Sequence, residues 1–111
     1  MLPKKFRLPA KEFNFVYQKG KKIRGEYGMF VFNENKEGYP RFGFVVSKKI
    51  GNAVLRHRMT RLIRVSVMEI VNENNLHGLS FDFQYIAFKF CEKKSLLKSD
   101  MESLILKEFN D

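Results

Sequence analysis

The chain has 111 residues, of which 44% are hydrophobic and 14% aromatic, and it carries a formal net charge of +9. This length supports one domain with a modest core, and the composition is not that of a disordered chain. The single cysteine excludes an internal disulfide and a multi-cysteine metal site.

The positive charge is concentrated early in the chain. Residues 1–68 contain sixteen Lys or Arg and four acids, whereas residues 69–111 contain five and eight. Such asymmetry favours a polyanionic partner, nucleic acid before an anionic membrane. No apolar run approaches the roughly 18 residues needed to cross a bilayer, and residues 1–10 lack the apolar stretch of a signal peptide. We therefore expect a cytoplasmic protein.

The first segment, residues 1–9, is basic and predicts an irregular arm, because its cations lie between two prolines and proline disfavours helix just before itself. It is either a frayed terminus or an extra phosphate contact that becomes ordered on binding.

Residues 10–19 predict a short helix that ends at Gly20. Phe13 and Tyr17 are one turn apart, whereas Phe15 points to another side and is expected to join the core. Two interpretations are open. All three rings belong to the core, or Phe13 and Tyr17 form a platform on which unpaired bases stack, worth roughly 1–3 kcal/mol per base.

Alternating apolar residues then predict three strands, over residues 23–33, 41–47 and 81–90. A polar turn makes the first two a hairpin, and a long helix connects the second to the third. This strand–helix–strand step predicts a crossover within one sheet, with parallel pairing as one option. A last helix covers residues 95–109. The expected fold is a single-domain α/β (α+β) sandwich over residues 1–111, in the order α-β-β-α-β-α.

The long helix carries the most informative pattern. Asn52 is a good N-cap, and neither Gly nor Pro occurs between Ala53 and Gly78. At about 100° per residue, one stripe is apolar and faces the core. The opposite arc of about 200° carries these polar and basic residues: Arg56, His57, Arg58, Thr60, Arg61 and Arg64.

This arc lacks compensating acids, since no Asp or Glu occurs in residues 38–68. A solvated helix face usually mixes charge signs, so these cations repel one another and need an external anion. Arginine can bind a phosphate through two parallel hydrogen bonds. The pattern therefore favours a polyanion-binding helix over a solvated face.

No catalytic residues are predicted. The two histidines, His57 and His77, stand at unrelated positions, and no Cys or carboxylate cluster completes a metal site. A P-loop and a dinucleotide fingerprint are both missing. Any catalysis in which this protein takes part must use chemistry that another component supplies.

The segment SKKIGNAVLRHRMTRLIR, Ser47 to Arg64, resembles the signature of the bacterial ribonuclease P protein component. The resemblance extends along nearly the whole chain, beginning at RLPAKEFNFVYQKGK. It implies an α/β sandwich with a left-handed β-α-β crossover. It also implies the small subunit of a ribonucleoprotein whose RNA, with Mg²⁺, cleaves the 5′ leader from precursor tRNA. The expected partners are ribonuclease P RNA and that leader, with neither a membrane nor an obligate protein partner, and the protein alone is expected to bind no cofactor.

The resemblance also implies the site residues. The cleft for the single-stranded leader would use Phe13 and Tyr17. The predicted RNA-binding residues are Lys48, Lys49, Asn52, Arg56, His57, Arg58, Arg61 and Arg64. The sequence departs from the family pattern where His57 replaces Asn, where Thr60 replaces the usual Lys, and where Val65 replaces an acid or amide. The family's strand aromatic falls near Val31, so none is carried over.

Two alternatives remain at this point. A plain RNA-binding module, such as a ribosome-associated protein, would have the same composition, although the complete Lys48–Arg64 motif argues against it. A membrane-surface protein would need bulky apolar residues beside the arginines, and the arc from Arg56 to Arg64 carries none.

Overall fold

The computed structural model describes residues 2–109, so Met1 of the predicted arm and the last two residues of the predicted domain lie outside the described part. Within these described residues the chain forms three α-helices and four strands, which confirms the mixed α+β class. In chain order they are α1 Phe13–Lys19, β1 Lys21–Arg24, β2 Gly28–Glu34, β3 Arg41–Val45, α2 Ala53–Glu73, β4 Phe81–Ala87 and α3 Lys94–Phe109.

The sheet has the strand order β1-β2-β4-β3. Strand β4 pairs antiparallel with β2 and parallel with β3, so the predicted crossover through α2 is present and joins parallel strands. The residues of β4 are buried on both faces of the sheet, with only Phe81 and Ile86 partly exposed. A strand buried on both faces belongs in the middle of a sheet, which explains why β4 lies between β2 and β3.

Two sequence predictions about the strands are wrong. The predicted hairpin between the strands over residues 23–33 and 41–47 does not form, because β4 occupies the place beside β2. The predicted strand over residues 23–33 is two strands, β1 and β2, in an antiparallel hairpin.

The turn between β1 and β2 has a long-range cause. The carboxylate of Asp100, on α3, accepts hydrogen bonds from the backbone N–H groups of Glu26 and Tyr27 at 2.9 and 3.0 Å. A Cβ at Gly25 would lie 2.7 Å from this carboxylate. Gly25 therefore lets the chain turn against α3 instead of continuing as one strand.

The sheet has a core on each face. Helices α2 and α3 cover one face and enclose a large cluster that includes Phe30, Phe83 and Tyr85. Helix α1 lies on the other face, over a smaller cluster formed by Leu8, Val16, Met29 and Val31.

The N-terminal segment is not the irregular arm that the two prolines predicted. Lys4–Phe6 forms a 3₁₀ turn, and Leu2, Phe6 and Leu8 are buried. The backbone N–H of Leu8 donates a 2.9 Å hydrogen bond to the carbonyl of Phe42, on the free edge of β3. The apolar residues between the cations are what hold this segment to the core.

Helix α2 forms as predicted. The Asn52 side chain accepts a hydrogen bond from the backbone N–H of Leu55 at 3.0 Å, which caps the first turn. Met59, Ile63 and Ile70 are fully buried on its core-facing stripe. Within residues 2–109, no helix combines the length and apolar composition that a membrane span requires.

Candidate RNA interface

The predicted RNA-binding cations lie together on the start of α2 and on the turn before it. Lys48 and Lys49 are exposed on a 3₁₀ turn that ends at Gly51. Gly51 has φ 147°, and a Cβ there would lie 2.7 Å from Leu55 Cδ1, so glycine is required where the chain enters the helix. We call this surface the basic face. It comprises Lys48, Lys49, Arg56, His57, Arg58, Arg61 and Arg64.

Most of the basic face has no acid to neutralise it. Within residues 2–109, five of its cations form no ion pair, namely Lys48, Lys49, Arg56, Arg61 and Arg64. The end of α2 differs, because Glu69 there pairs with Lys94 at 2.6 Å and with Lys98 at 3.0 Å. Hydrogen bonds from Lys94 and then Lys98 lower the pKa of the Glu69 carboxyl. The positive field of α2 is therefore confined to its first half.

Three residues of this half make contacts that the sequence did not predict. Arg58 pairs with Glu92 at 3.2 Å, with both side chains about half exposed. An exposed pair of this kind is worth about 0–1 kcal/mol, so a phosphate can displace Glu92. Arg56 Nη1 donates to the carbonyl of Gly51 at 3.0 Å, and the Thr60 hydroxyl donates to the carbonyl of Arg56 at 2.8 Å.

The basic face is less purely polar than its sequence suggested. Val54 is 64% exposed and Val65 is 44% exposed. They line an open pocket of about 590 Å³ together with His57, Arg58, Arg61 and Leu62. The argument that no apolar residue lies beside the arginines, which spoke against a membrane surface, therefore does not hold. The family to which the chain belongs decides between RNA and a membrane instead.

Helix α1 crosses the sheet from β3 to β1, and this orientation decides the role of each aromatic ring. Val16 is 1% exposed and packs on Val31, so it takes the core position expected of Phe15. Phe15 is 58% exposed, and the prediction that it joins the core is wrong. The sequence could not show which side of so short a helix faces the sheet.

Phe13 lies on the backbone of β3. A Cβ at Gly43 would lie 2.4 Å from Phe13 Cε1 and Cζ, so only glycine leaves room for the ring. Gly43 is the only glycine of β3 and lies between Phe42 and Phe44. An isolated glycine within a strand often marks the close approach of another group to the backbone. That signal could have identified Gly43 from the sequence.

Tyr17 lies one turn further along α1, at the β1 side, and is 41% exposed. The Lys22 ammonium is 4.5 Å from the centre of its ring and donates a 2.7 Å hydrogen bond to the Tyr17 carbonyl. A cation over a tyrosine ring is attracted by the negative π-face. Tyr17 thus offers an aromatic surface with a positive charge over one face of the ring.

A cavity of about 390 Å³ joins the first helix to the basic face. We call it the cleft. Phe13 and Gly43 contribute one wall, and Thr60 and Arg64 of α2 contribute another. The N-terminal segment closes it with Leu2, Arg7 and Leu8, which the sequence did not predict as site residues. Tyr17 is not part of the wall.

A largely buried ion cluster fixes the start of α1 beside the cleft. Arg41 donates to both carboxylate oxygens of Asp82, at 2.8 and 2.9 Å, and to Glu12 at 2.8 Å. The hydrogen bonds to Asp82 raise the pKa of the Arg41 guanidinium, and burial opposes this. Because Glu12 directly precedes Phe13, the cluster holds the ring at β3.

Comparison with known proteins identifies the family. A family model described as Ribonuclease P matches residues 2–107. The chain belongs to the ribonuclease P protein family. A ribonuclease P protein component from Bacillus cereus is 41% identical over 106 residues, covering 86% of this chain and 89% of that protein. One from Fusobacterium nucleatum is 44% identical over 64 residues, 58% of each chain.

The fold leads to the same family. The ribonuclease P protein from Thermotoga maritima superposes with a TM-score of 0.73 at 26% identity, over 95% of this chain and 98% of that one. The resemblance drawn from the Lys48–Arg64 motif is therefore confirmed. As a ribonuclease P protein component, this chain is a subunit of an endoribonuclease complex that contains RNA. In the described part of the chain, no three His, Cys, Asp or Glu side chains form a group that could hold a metal ion.

Proposed function

We propose that this subunit binds ribonuclease P RNA through the basic face and holds the single-stranded 5′ leader of precursor tRNA in the cleft. The RNA, with Mg²⁺, performs the cleavage that matures the tRNA 5′ end, and the protein acts in the cytoplasm. The observation that carries the proposal is the meeting of Phe13 with Arg64 across one cavity. An RNA strand that leaves the basic face would enter the cleft beside the Phe13 ring.

The basic face and the cleft together suit a protein that assists an RNA catalyst. Cations without acidic partners bind phosphates and release counterions. They thereby reduce the repulsion between catalytic RNA and substrate that Mg²⁺ would otherwise have to screen. Aromatic stacking tolerates any sequence, because every base has a π-face, and this suits a protein that meets many different leaders.

Reconstitution tests the proposal. The protein is mixed with its host's ribonuclease P RNA, and leader removal is measured over a series of Mg²⁺ concentrations. We expect no cleavage by the protein alone and a lower Mg²⁺ requirement for the RNA when the protein is present. Binding of the RNA without any change in Mg²⁺ requirement would favour a plain RNA-binding module, and cleavage by nuclease-free protein alone would contradict the assignment of chemistry to RNA.

Substitution of single arginines separates the basic face from a solvated helix. Arg61→Ala is expected to weaken RNA binding and to reduce the slope of log K against log salt by roughly 0.7–0.9, the value of one phosphate contact. Arg58→Ala should weaken binding less than Arg61→Ala, because the phosphate contact of Arg58 must first displace Glu92. Lys94→Ala is the control, since Lys94 pairs with Glu69 away from the basic face. Equal slopes for all four proteins would contradict RNA binding by α2.

A further inference from the structure

An aromatic–cation pair lies beyond Tyr17 on the face of the sheet that α1 covers. The Arg24 guanidinium is centred 4.5 Å from the centre of the Phe88 ring. Phe88 is partly buried and packs on the same small cluster as Phe13, so both rings lie at the edge of one apolar cluster. Arg24 is exposed, at the end of β1.

The register connects this pair to Tyr17. Lys22 pairs with Val31 and Arg24 pairs with Met29, and both partners belong to the small cluster under α1. Lys22 and Arg24 therefore point to the same face, about 7 Å apart as alternate residues of a strand. Each holds its charge against an aromatic ring, of Tyr17 and of Phe88 respectively.

Charge sets the class of ligand. Within residues 2–109, neither Lys22 nor Arg24 forms an ion pair, and the neighbouring acid Glu26 is paired with Lys89. Aromatic rings and arginine guanidinium groups stack on unpaired bases, while the N–H groups of arginine bind phosphate. A repeat of cation and aromatic ring along one strand fits a single-stranded nucleic acid.

We propose that Arg24 and Phe88 form a further nucleotide site, which extends the leader-binding surface from the cleft past Tyr17 toward the end of β1. The site rests on the proposed function, because its occupant is the part of the leader that continues beyond Tyr17. The base stacks against the Arg24–Phe88 pair, and Lys22 meets the phosphate between the two sites.

A series of precursor tRNAs whose leaders lengthen by one nucleotide tests the site. Affinity for the holoenzyme is measured for the wild-type protein and for Arg24→Gln. We expect wild-type affinity to rise with leader length and then level off. Arg24→Gln should match it for short leaders and mature tRNA, and should lose the last increment, binding long leaders roughly 5-fold or more weakly.

Two further variants show whether the affinity for long leaders depends on the planar guanidinium group of Arg24 or on positive charge alone. Arg24→Lys keeps the charge but not the planar group, so it should retain the salt dependence and still lose the last increment. Lys36→Gln removes an exposed cation from the turn after β2, at the other end of the sheet, and should behave as wild type.

The site is wrong if Arg24→Gln equals wild type at every length, or if it weakens all leaders and mature tRNA alike. A wild-type protein without any dependence on leader length would refute the leader cleft itself, and this site with it.

Discussion

Replacement of Arg41 by methionine is expected to lower the free energy of unfolding by about 3 kcal/mol. Removing one partner of a buried ion pair typically costs about 3–5 kcal/mol, because the other charge stays buried without compensation. The Arg41 and Asp82 side chains are only 13% and 8% exposed. We take the low end because the Asn35 amide still donates to Asp82 at 2.8 Å. For a domain of this size the thermal midpoint should fall by roughly 10 °C.

The control is the same substitution in an exposed pair. Lys21 pairs with Glu108 at 3.0 Å, but its side chain is 63% exposed. Lys21→Met should therefore cost less than about 1 kcal/mol. Denaturant unfolding of both variants, and of Arg41→Met combined with Asp82→Asn, measures the difference. The double variant should be more stable than the sum of the single effects predicts, since neither charge is then left alone. A cost for Arg41→Met no larger than that of Lys21→Met would show that the cluster does not hold α1.

The part of the fold that follows from local sequence was predictable. The start of α2 depends on Asn52 and on the residues within one turn of it, and its apolar stripe depends on spacing alone. The basic face follows from the same spacing. Both are properties of a single segment, so periodicity and capping were sufficient to predict them.

The wrong predictions all concern contacts between distant segments. The break between β1 and β2 depends on Asp100, more than seventy positions away on α3. The position of β4 in the middle of the sheet depends on its burial on both faces. The polar turn after β2 did not indicate that another strand would lie between β2 and β3. The cleft likewise combines residues of the N-terminal segment, α1, β3 and α2, which only the folded chain brings together.

Val16, and not Phe15, takes the core position of α1, and this too depends on contacts that the local sequence does not show. Burial of a phenylalanine ring removes more apolar area from water than burial of a valine, yet Val16 is buried and Phe15 is exposed. The side of α1 that meets the sheet is fixed by Phe13 on Gly43 and by Glu12 on Arg41. Because both contacts are long-range, helical spacing alone could not reveal the orientation.

This orientation makes Tyr17→Ala and Phe15→Ala a matched pair of substitutions on one helix. Tyr17→Ala is expected to weaken holoenzyme binding of precursor tRNA by roughly 1–3 kcal/mol, the value of one stacked base. Mature tRNA lacks the leader, so its affinity should hardly change. Phe15 points away from the sheet side of α1 and is the more exposed ring. Phe15→Ala should therefore leave both affinities near wild type, although it also removes an aromatic residue.

The rival explanation is that Tyr17 acts only in folding, by supporting α1 and its contact with Lys22. Tyr17→Ala would then lower the thermal midpoint and weaken precursor and mature tRNA equally. Its 41% exposure argues against a large structural role, because burial of apolar area is what makes a side chain stabilising. Both tRNA affinities and the thermal midpoint of each variant distinguish the explanations. An equal loss for the two tRNAs with a less stable fold, or the same loss from Phe15→Ala, would show that Tyr17 is not a leader contact.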